Sequence, residues 1–408
     1  LGLVFEYGPD DEAAVAALCA KHDIPFKTIG VTSEEPVVSI AQGANEIFSA
    51  SIATLLRQWS ATSARLEEEQ TDRDCARSEL TVVSRAETPR YHLSFTPAPT
   101  AADLLARRDK PKVAVLREEG TNADREMAAA CIAAGLEPWD IAMSDLLAGK
   151  VALEEFRGVM FCGGFSFMDV FGSAKGWAAA IRFNDGLRQM FDDFHERPDT
   201  LSLGACNGCQ LMALLGWATL NGVPDTSQPR FVQNASGRFE SRWTRVKVLP
   251  SPSVHLAGME GSILGIWSEH GEGRLVHPDP REEKTITPLV FVDAEGNATG
   301  TYPYNPNGSP GGQCALASPD GRHLALMPHP ERSFLPWQWE WMPPAWKRFG
   351  VSPWLRLSRT CGPGSTRTEY ERAAHSWGRL RRRRCGLSQD RALQAADDRR
   401  GEEDSRLS

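Results

Sequence analysis

The chain has 408 residues, 41% of them apolar, and a formal net charge of −8, so it is long enough for two or three domains with ordinary cores. The acidic balance argues against a nucleic-acid-binding domain, which carries a basic excess, and no run reaches the roughly 18 consecutive apolar residues of a membrane span. Nine cysteines, scattered without a disulfide framework, suit a reducing cytoplasm.

Residues 1–40 read as a small α/β unit: a strand over Leu1–Tyr7, a helix over Asp11–Lys21 with Ala14 and Leu18 at helical spacing, and strands over Phe26–Val31 and Pro36–Ile40. Residues 48–80 read as helical and charged, and residues 81–111 as an irregular, Pro-rich linker. From Lys112 strands and helices alternate: strand Val113–Leu116, helix Asn122–Gly135, strand Pro138–Ile141, strand Gly158–Cys162, helix Gly176–Phe194, strand Leu201–Ala205, helix Asn207–Leu215. This alternation predicts an α/β domain, a mostly parallel sheet with helices on both faces. A β-richer segment, 231–327, follows. After about Leu357 dense charge (Arg379 to Arg384, Asp397 to Asp404) and low apolar content predict a disordered tail over residues 358–408. The chain begins at Leu1 rather than Met and is expected to be the C-terminal piece of a longer enzyme.

Cys206 stands where the strand Leu201–Ala205 would turn sharply into a helix. The free N–H groups and the dipole at a helix start favour thiolate over thiol, which makes a nucleophile. Gly204 and Gly208 permit a tight turn, and the arrangement parallels the nucleophile elbow of hydrolases. Cys209 makes a Cys-x-x-Cys pair with Cys206, but no second pair completes a tetrahedral zinc site; no metal is expected, and Cys209 reads as packing.

A thiolate needs a base, and the base an orienter. His329-Pro330-Glu331 follows the strand-like Leu324–Met327. Prolines hold the chain extended, so residues i and i+2, His329 and Glu331, would share a face.

Gly204-x-Cys206-x-Gly208-x-Gln210 together with His329-Pro330-Glu331 resembles the class I, triad-type glutamine amidotransferases. Residues around 112–356 further resemble the glutaminase domain that ends the large single-chain phosphoribosylformylglycinamidine synthases of purine biosynthesis. The motifs carrying this are Val115 to Gly120, Gly163-Gly164-Phe165-Ser166, Gly172 to Trp177, Cys206 to Gln210, Ser236 to Arg242, His270-Gly271-Glu272-Gly273, Asn305 to Ser309 and Met327 to Arg332. The resemblance implies that residues 1–47 are the end of the ATP-utilising synthetase portion, 48–111 a linker and 112–357 the glutaminase. It implies L-glutamine as substrate and the synthetase portion as partner. ATP and magnesium would act in that absent portion, and no cofactor in this chain. Cys206, His329 and Glu331 would form the triad. Gly163-Gly164-Phe165-Ser166, after a strand, reads as an oxyanion loop, with the Gly164, Phe165 and Asn207 N–H groups as donors. By resemblance Gln210 contacts the bound amide, Asn234 to Arg242 line the glutamine pocket, and His270 helps position the substrate. A class I glutaminase serving another synthetase, and a non-catalytic truncated interaction module, stay open as alternatives.

Overall fold

The computed structural model describes residues 2–359 except 86, 221–222 and 279–284; the tail reading, from residue 360 on, lies outside the described residues. The chain divides into two compact units, residues 1–64 with 80–86, and residues 65–79 with 87 onward.

The first unit contains α1 (Glu12–Lys21), the antiparallel hairpin β1 (Val37–Gln42) and β2 (Asn45–Ser51), and the start of α2 (Ile52–Gln70). None of its described residues is buried. The strands expected over 1–7 and 26–31 are not formed. These segments meet through side chains instead: Tyr7 hydroxyl with Thr28 Oγ1 at 2.7 Å, and the rings of Phe5, Tyr7 and Phe26. Their strand-forming residues Leu3, Val4, Ile29 and Val31 stay exposed, so burial does not reward backbone pairing there.

The second unit takes in the end of α2 and most of α3 (Arg73–Val83), then α4 (Ala102–Ala106) and the sheet domain. Residues 65–79 and 87–111, read from sequence as linker, thus cluster with the glutaminase-like part. Ion pairs explain the first stretch: Arg238 bonds Glu67, Arg242 bonds both oxygens of Glu79 at 2.6 and 3.1 Å, and both arginines reach the buried Glu240.

The main sheet has six strands in the order β12 (Ala315–Ala317), β13 (His323–Leu326), β6 (Leu201–Ala205), β5 (Gly158–Phe161), β3 (Lys112–Arg117), β4 (Glu137–Ala142); only β12 runs antiparallel to its neighbour. Alternate residues of a strand face opposite sides, and the core divides accordingly. Val113, Val115, Met160 and Leu203 meet α5 (Asp124–Ala133), while Ala114, Leu116, Val159 and Phe161 meet α6 (Met143–Leu147), α7 (Lys175–Arg182), α8 (Asp185–Glu196) and α9 (Asn207–Leu215). The α5 side is shared with a three-stranded antiparallel sheet of β8 (Glu240–Val248), β9 (Ile263–His270) and β11 (Leu289–Phe291), and with α10 (Leu355–Arg359). A short antiparallel pair, β7 (Arg230–Val232) with β10 (Arg274–Val276), completes the strands. The single helix expected over 176–194 is two, because Asn184 caps a new start, its Oδ1 accepting the Leu187 N–H at 3.0 Å.

Candidate active site

β6 ends at Ala205, and Cys206 takes φ 51° and ψ −105° before α9 begins. A non-glycine residue at positive φ is strained and is held there by its surroundings. Leu326 O accepts the Cys206 N–H at 2.9 Å, and Cys206 O accepts the Gln210 N–H at 3.0 Å. The two glycines are required by close approach. A Cβ on Gly204 would lie 2.5 Å from Gly208 O, and one on Gly208 would lie 2.2 Å from Phe161 O. Cys206 is 6% exposed, and its Sγ donates to the Glu269 carbonyl at 3.4 Å.

Because β13 pairs in parallel with β6, Leu326 opposite Ala205, the chain leaving β13 emerges beside Cys206. The His329 N–H bonds the Trp267 carbonyl of β9 at 2.8 Å. The run after it is not extended as the sequence suggested. Pro330–Arg332 is a single 3-10 turn, which proline suits at its first position. The turn brings Glu331 Oε1 to 2.5 Å from His329 Nδ1, with both side chains buried. Burial pushes the imidazole down, but the Glu331 carboxylate and the adjoining Cys206 outweigh it and raise His329 to about 10. Among the described residues its Nε2 has no hydrogen-bond partner. Gly163 packs against both groups: a Cβ there would lie 2.8 Å from the His329 ring and 3.5 Å from Cys206 Cβ.

The loop after β5 supplies amide donors. The Gly163 carbonyl accepts N–H groups of Asn122 (3.0 Å) and Ala123 (3.4 Å). A trans peptide points its C=O and N–H opposite ways, so the Gly164 N–H faces away from that turn. The Phe165 N–H, expected as an oxyanion donor, is instead bound to Gly120 O at 2.9 Å. Among the described residues no acceptor is recorded for the Gly164 N–H, and the Asn207 N–H, at the first position of α9, has no intrahelical one.

Gln210 and Asn234 lie in this region but spend their amides internally. Asn207 Oδ1 accepts the Ser166 N–H at 3.2 Å, its Nδ2 donates to Gln210 Oε1 at 2.9 Å, and Gln210 Nε2 donates to Glu272 O at 2.7 Å. That relay ties the oxyanion loop to the 270–273 loop, leaving one Gln210 N–H uncommitted. Asn234 staples the same loop, its Nδ2 donating to His270 O (2.7 Å) and Arg238 O (3.0 Å) and its Oδ1 accepting the Gly273 N–H (2.9 Å). It therefore supports the site and has no free N–H for substrate. Arg238 and Arg242 likewise serve the ion-pair network, and Phe239 is the member of that segment reaching the oxyanion loop, its ring 5.8 Å from Phe165. His270 is buried, and desolvation, then the nearby His329, lower it to about 3. Asn307 Nδ2 donates to its Nε2 at 3.1 Å, so this neutral ring packs the loop.

The hydrogen bonds accepted by the Gly120 and Glu269 carbonyls and donated by the Asn122 N–H were not legible in the sequence, because backbone groups carry no residue signature. Among the described residues no group of three or more His, Cys, Asp or Glu side chains could hold a metal ion, and no helix is long and apolar enough to cross a membrane.

A family profile described as "CobB/CobQ-like glutamine amidotransferase domain" matches residues 110–361. The chain belongs to this glutamine amidotransferase family. Two relatives sharpen the likeness of this amidotransferase. One, from Arabidopsis thaliana, is named "Probable phosphoribosylformylglycinamidine synthase, chloroplastic/mitochondrial" and is 48% identical over 367 residues, 88% of this chain and 26% of that protein. The other, from Homo sapiens, is named "Phosphoribosylformylglycinamidine synthase" and is 42% identical over 377 residues, 87% of this chain and 28% of that protein. The chain thus spans about a quarter of the length of these relatives. A solved structure, PurLQS from Thermotoga maritima, is similar at a TM-score of 0.45 and 22% identity, covering 62% of this chain and 97% of that one.

Proposed function

We propose that this chain is the glutaminase portion of a phosphoribosylformylglycinamidine synthase. The observation that carries the reading is the His329–Glu331 pair, closed at 2.5 Å and buried against Cys206 at the strand-to-helix elbow. Glutamine docks with its carboxamide over the elbow. The Cys206 thiolate attacks the carbonyl carbon, and the oxyanion rests on the N–H groups of Gly164 and Asn207. One such donor is worth on the order of 3 kcal/mol in the transition state. His329, oriented by Glu331, which stabilises its imidazolium, gives its Nε2 proton to the leaving ammonia. A water then loses a proton to His329 and attacks the glutamyl thioester, releasing glutamate. Gln210 contacts the bound substrate through its remaining N–H.

The ammonia serves a synthetase portion of the same enzyme, which uses ATP and magnesium to convert formylglycinamide ribotide to the amidine. The support is the 48% and 42% identity to the two named relatives. The free thiols among the described cysteines support a reducing compartment, of which the cytoplasm is the one we propose. The test is ammonia release from glutamine by this chain alone, then amidine formation when a synthetase portion, ATP, magnesium and formylglycinamide ribotide are added. Ammonia without amidine would keep the glutaminase and reassign its acceptor; no ammonia in either mixture would refute the whole reading.

A further inference from the structure

Arg332 closes the His329 to Arg332 run, and the reaction above gives it no task. Its guanidinium reaches two other segments of the second unit, the start of α5 and the end of β9. Nη1 bonds the Glu269 carboxylate, Nε donates to Glu126 Oε1 at 3.0 Å, and Nη2 donates to Asn122 Oδ1 at 3.2 Å. Its own N–H donates to the His329 carbonyl at 3.2 Å. Two of these partners stand one step from the reacting groups. Glu269 offers its carbonyl to the Cys206 thiol at 3.4 Å. Asn122 offers its N–H to the Gly163 carbonyl at 3.0 Å, the bond that sets the direction of the Gly164 N–H. Three acceptors on two segments suit the planar fork of a guanidinium; an ammonium is a point charge without that geometry.

We propose that Arg332 is a positioning residue that holds the Gly164 donor, the Cys206 thiol and the His329–Glu331 pair in one register. The proposal rests on the glutaminase reading above. It predicts a specific failure: with Arg332 gone, glutamine still binds, but donor and thiol are no longer aligned when charge develops on the carbonyl oxygen. Misplacement on the scale of an ångström costs about a hundredfold in rate.

The experiment compares the full chain with Arg332→Met, Arg332→Lys, Asn122→Ala and the Arg332→Met/Asn122→Ala double variant. Ammonia release gives kcat and KM for glutamine, and thermal unfolding gives the midpoint. Arg332→Met should lower kcat by at least about tenfold with KM changed less than about threefold and the midpoint nearly kept. Arg332→Lys should recover little, and added guanidinium at non-denaturing concentration should restore part of the Met variant's kcat. Asn122→Ala should lower kcat alone but cost little more in the Met background, because both act through one peptide. The proposal is overturned if Arg332→Met keeps the parent kcat, if the losses in both single variants track a falling midpoint, or if the double variant is additive. A parent chain that releases no ammonia would overturn the glutaminase reading and this proposal with it; an active parent matched by Arg332→Met would overturn this proposal alone.

Discussion

Strands β6 and β13 carry a hydroxyl- or thiol-bearing residue and a histidine at each end, and the two ends behave oppositely. At the C-terminal end Cys206 meets His329, whose Nδ1 is held by Glu331 at 2.5 Å. At the N-terminal end Ser202 Oγ lies 2.8 Å from His323 Nδ1, a spacing that would itself pass for nucleophile and base. The carboxylate there is spent elsewhere: Asp320 accepts from Arg322 Nε at 2.7 Å and Ser318 Oγ at 2.6 Å. Burial, then the neighbouring His195 and Arg322, drive His323 well below its usual value, whereas His329 is raised to about 10. A buried histidine next to a nucleophile is therefore not a base by proximity. The partner on its second nitrogen decides, and so does the strand end, since only the C-terminal end opens onto helix-start amides.

The largest effects should come from exchanging the two nucleophile positions. Cys206→Ser should abolish ammonia release with the fold kept, while Ser202→Ala should leave activity within about twofold and cost about 1–3 kcal/mol of stability by stranding buried His323. Activity in the first variant at the parent rate, or its loss in a well-folded second, would erase the distinction between the ends.

Next come the histidine partners. His329→Ala should lower kcat by about 10⁴-fold and Glu331→Gln by about 10²-fold, the range for a positioned general base and its support. Single-turnover ammonia release measures both. A Glu331→Gln variant as fast as the parent would show that the second nitrogen's partner does not matter.

pH should separate His329 from the depressed histidines without mutation. His323, His255 (lowered to about 4) and His270 (lowered to about 3) are depressed by burial, so unfolding lets them take protons. Their stabilisation is complete above about pH 6.5 and is lost as pH falls, by up to about 1.4 kcal/mol per proton per pH unit. His329 has the opposite sign: its contribution is complete below about pH 6.5 and is lost as pH rises toward about 10. Thermal midpoints from pH 5 to 10 should fall on both sides. His323→Asn should flatten the acid side alone; an unchanged acid limb would contradict the assignment.

The smallest effect on activity should come from Cys209→Ser. Cys209 is fully buried in α9, and desolvation holds its thiol well above the usual range. The variant should keep most ammonia release while losing about 1–3 kcal/mol from a buried hydroxyl. Loss of activity in a well-folded variant would revive a dithiol role.

Local chemistry was legible in the sequence and distant chemistry was not. The elbow could be read because Gly204, Cys206 and Gly208 are neighbours whose sizes and signs act within one turn. The alternation from Lys112 could be read because each strand and helix carries its own periodicity. Glu331 was paired with His329 by the wrong geometry: a proline that extends the chain and a proline that starts a 3-10 turn are the same residue. The place of residues 65–79 depended on Glu67 and Glu79 meeting Arg238 and Arg242, more than 160 residues away. Phe165 failed as a donor because Gly120, distant in sequence but on the neighbouring loop after β3, takes its N–H.

A covalent glutamyl group at Cys206 is the most direct consequence of nucleophilic attack from the elbow. Acid-quenched chain, taken during glutamine turnover and digested, should show by mass spectrometry one glutamyl thioester on the peptide containing Cys206. It should accumulate when deacylation is slowed and be absent from Cys206→Ser. Ammonia release with no adduct on any cysteine, or an adduct carried by Cys209, would contradict the assignment of nucleophile and elbow alike.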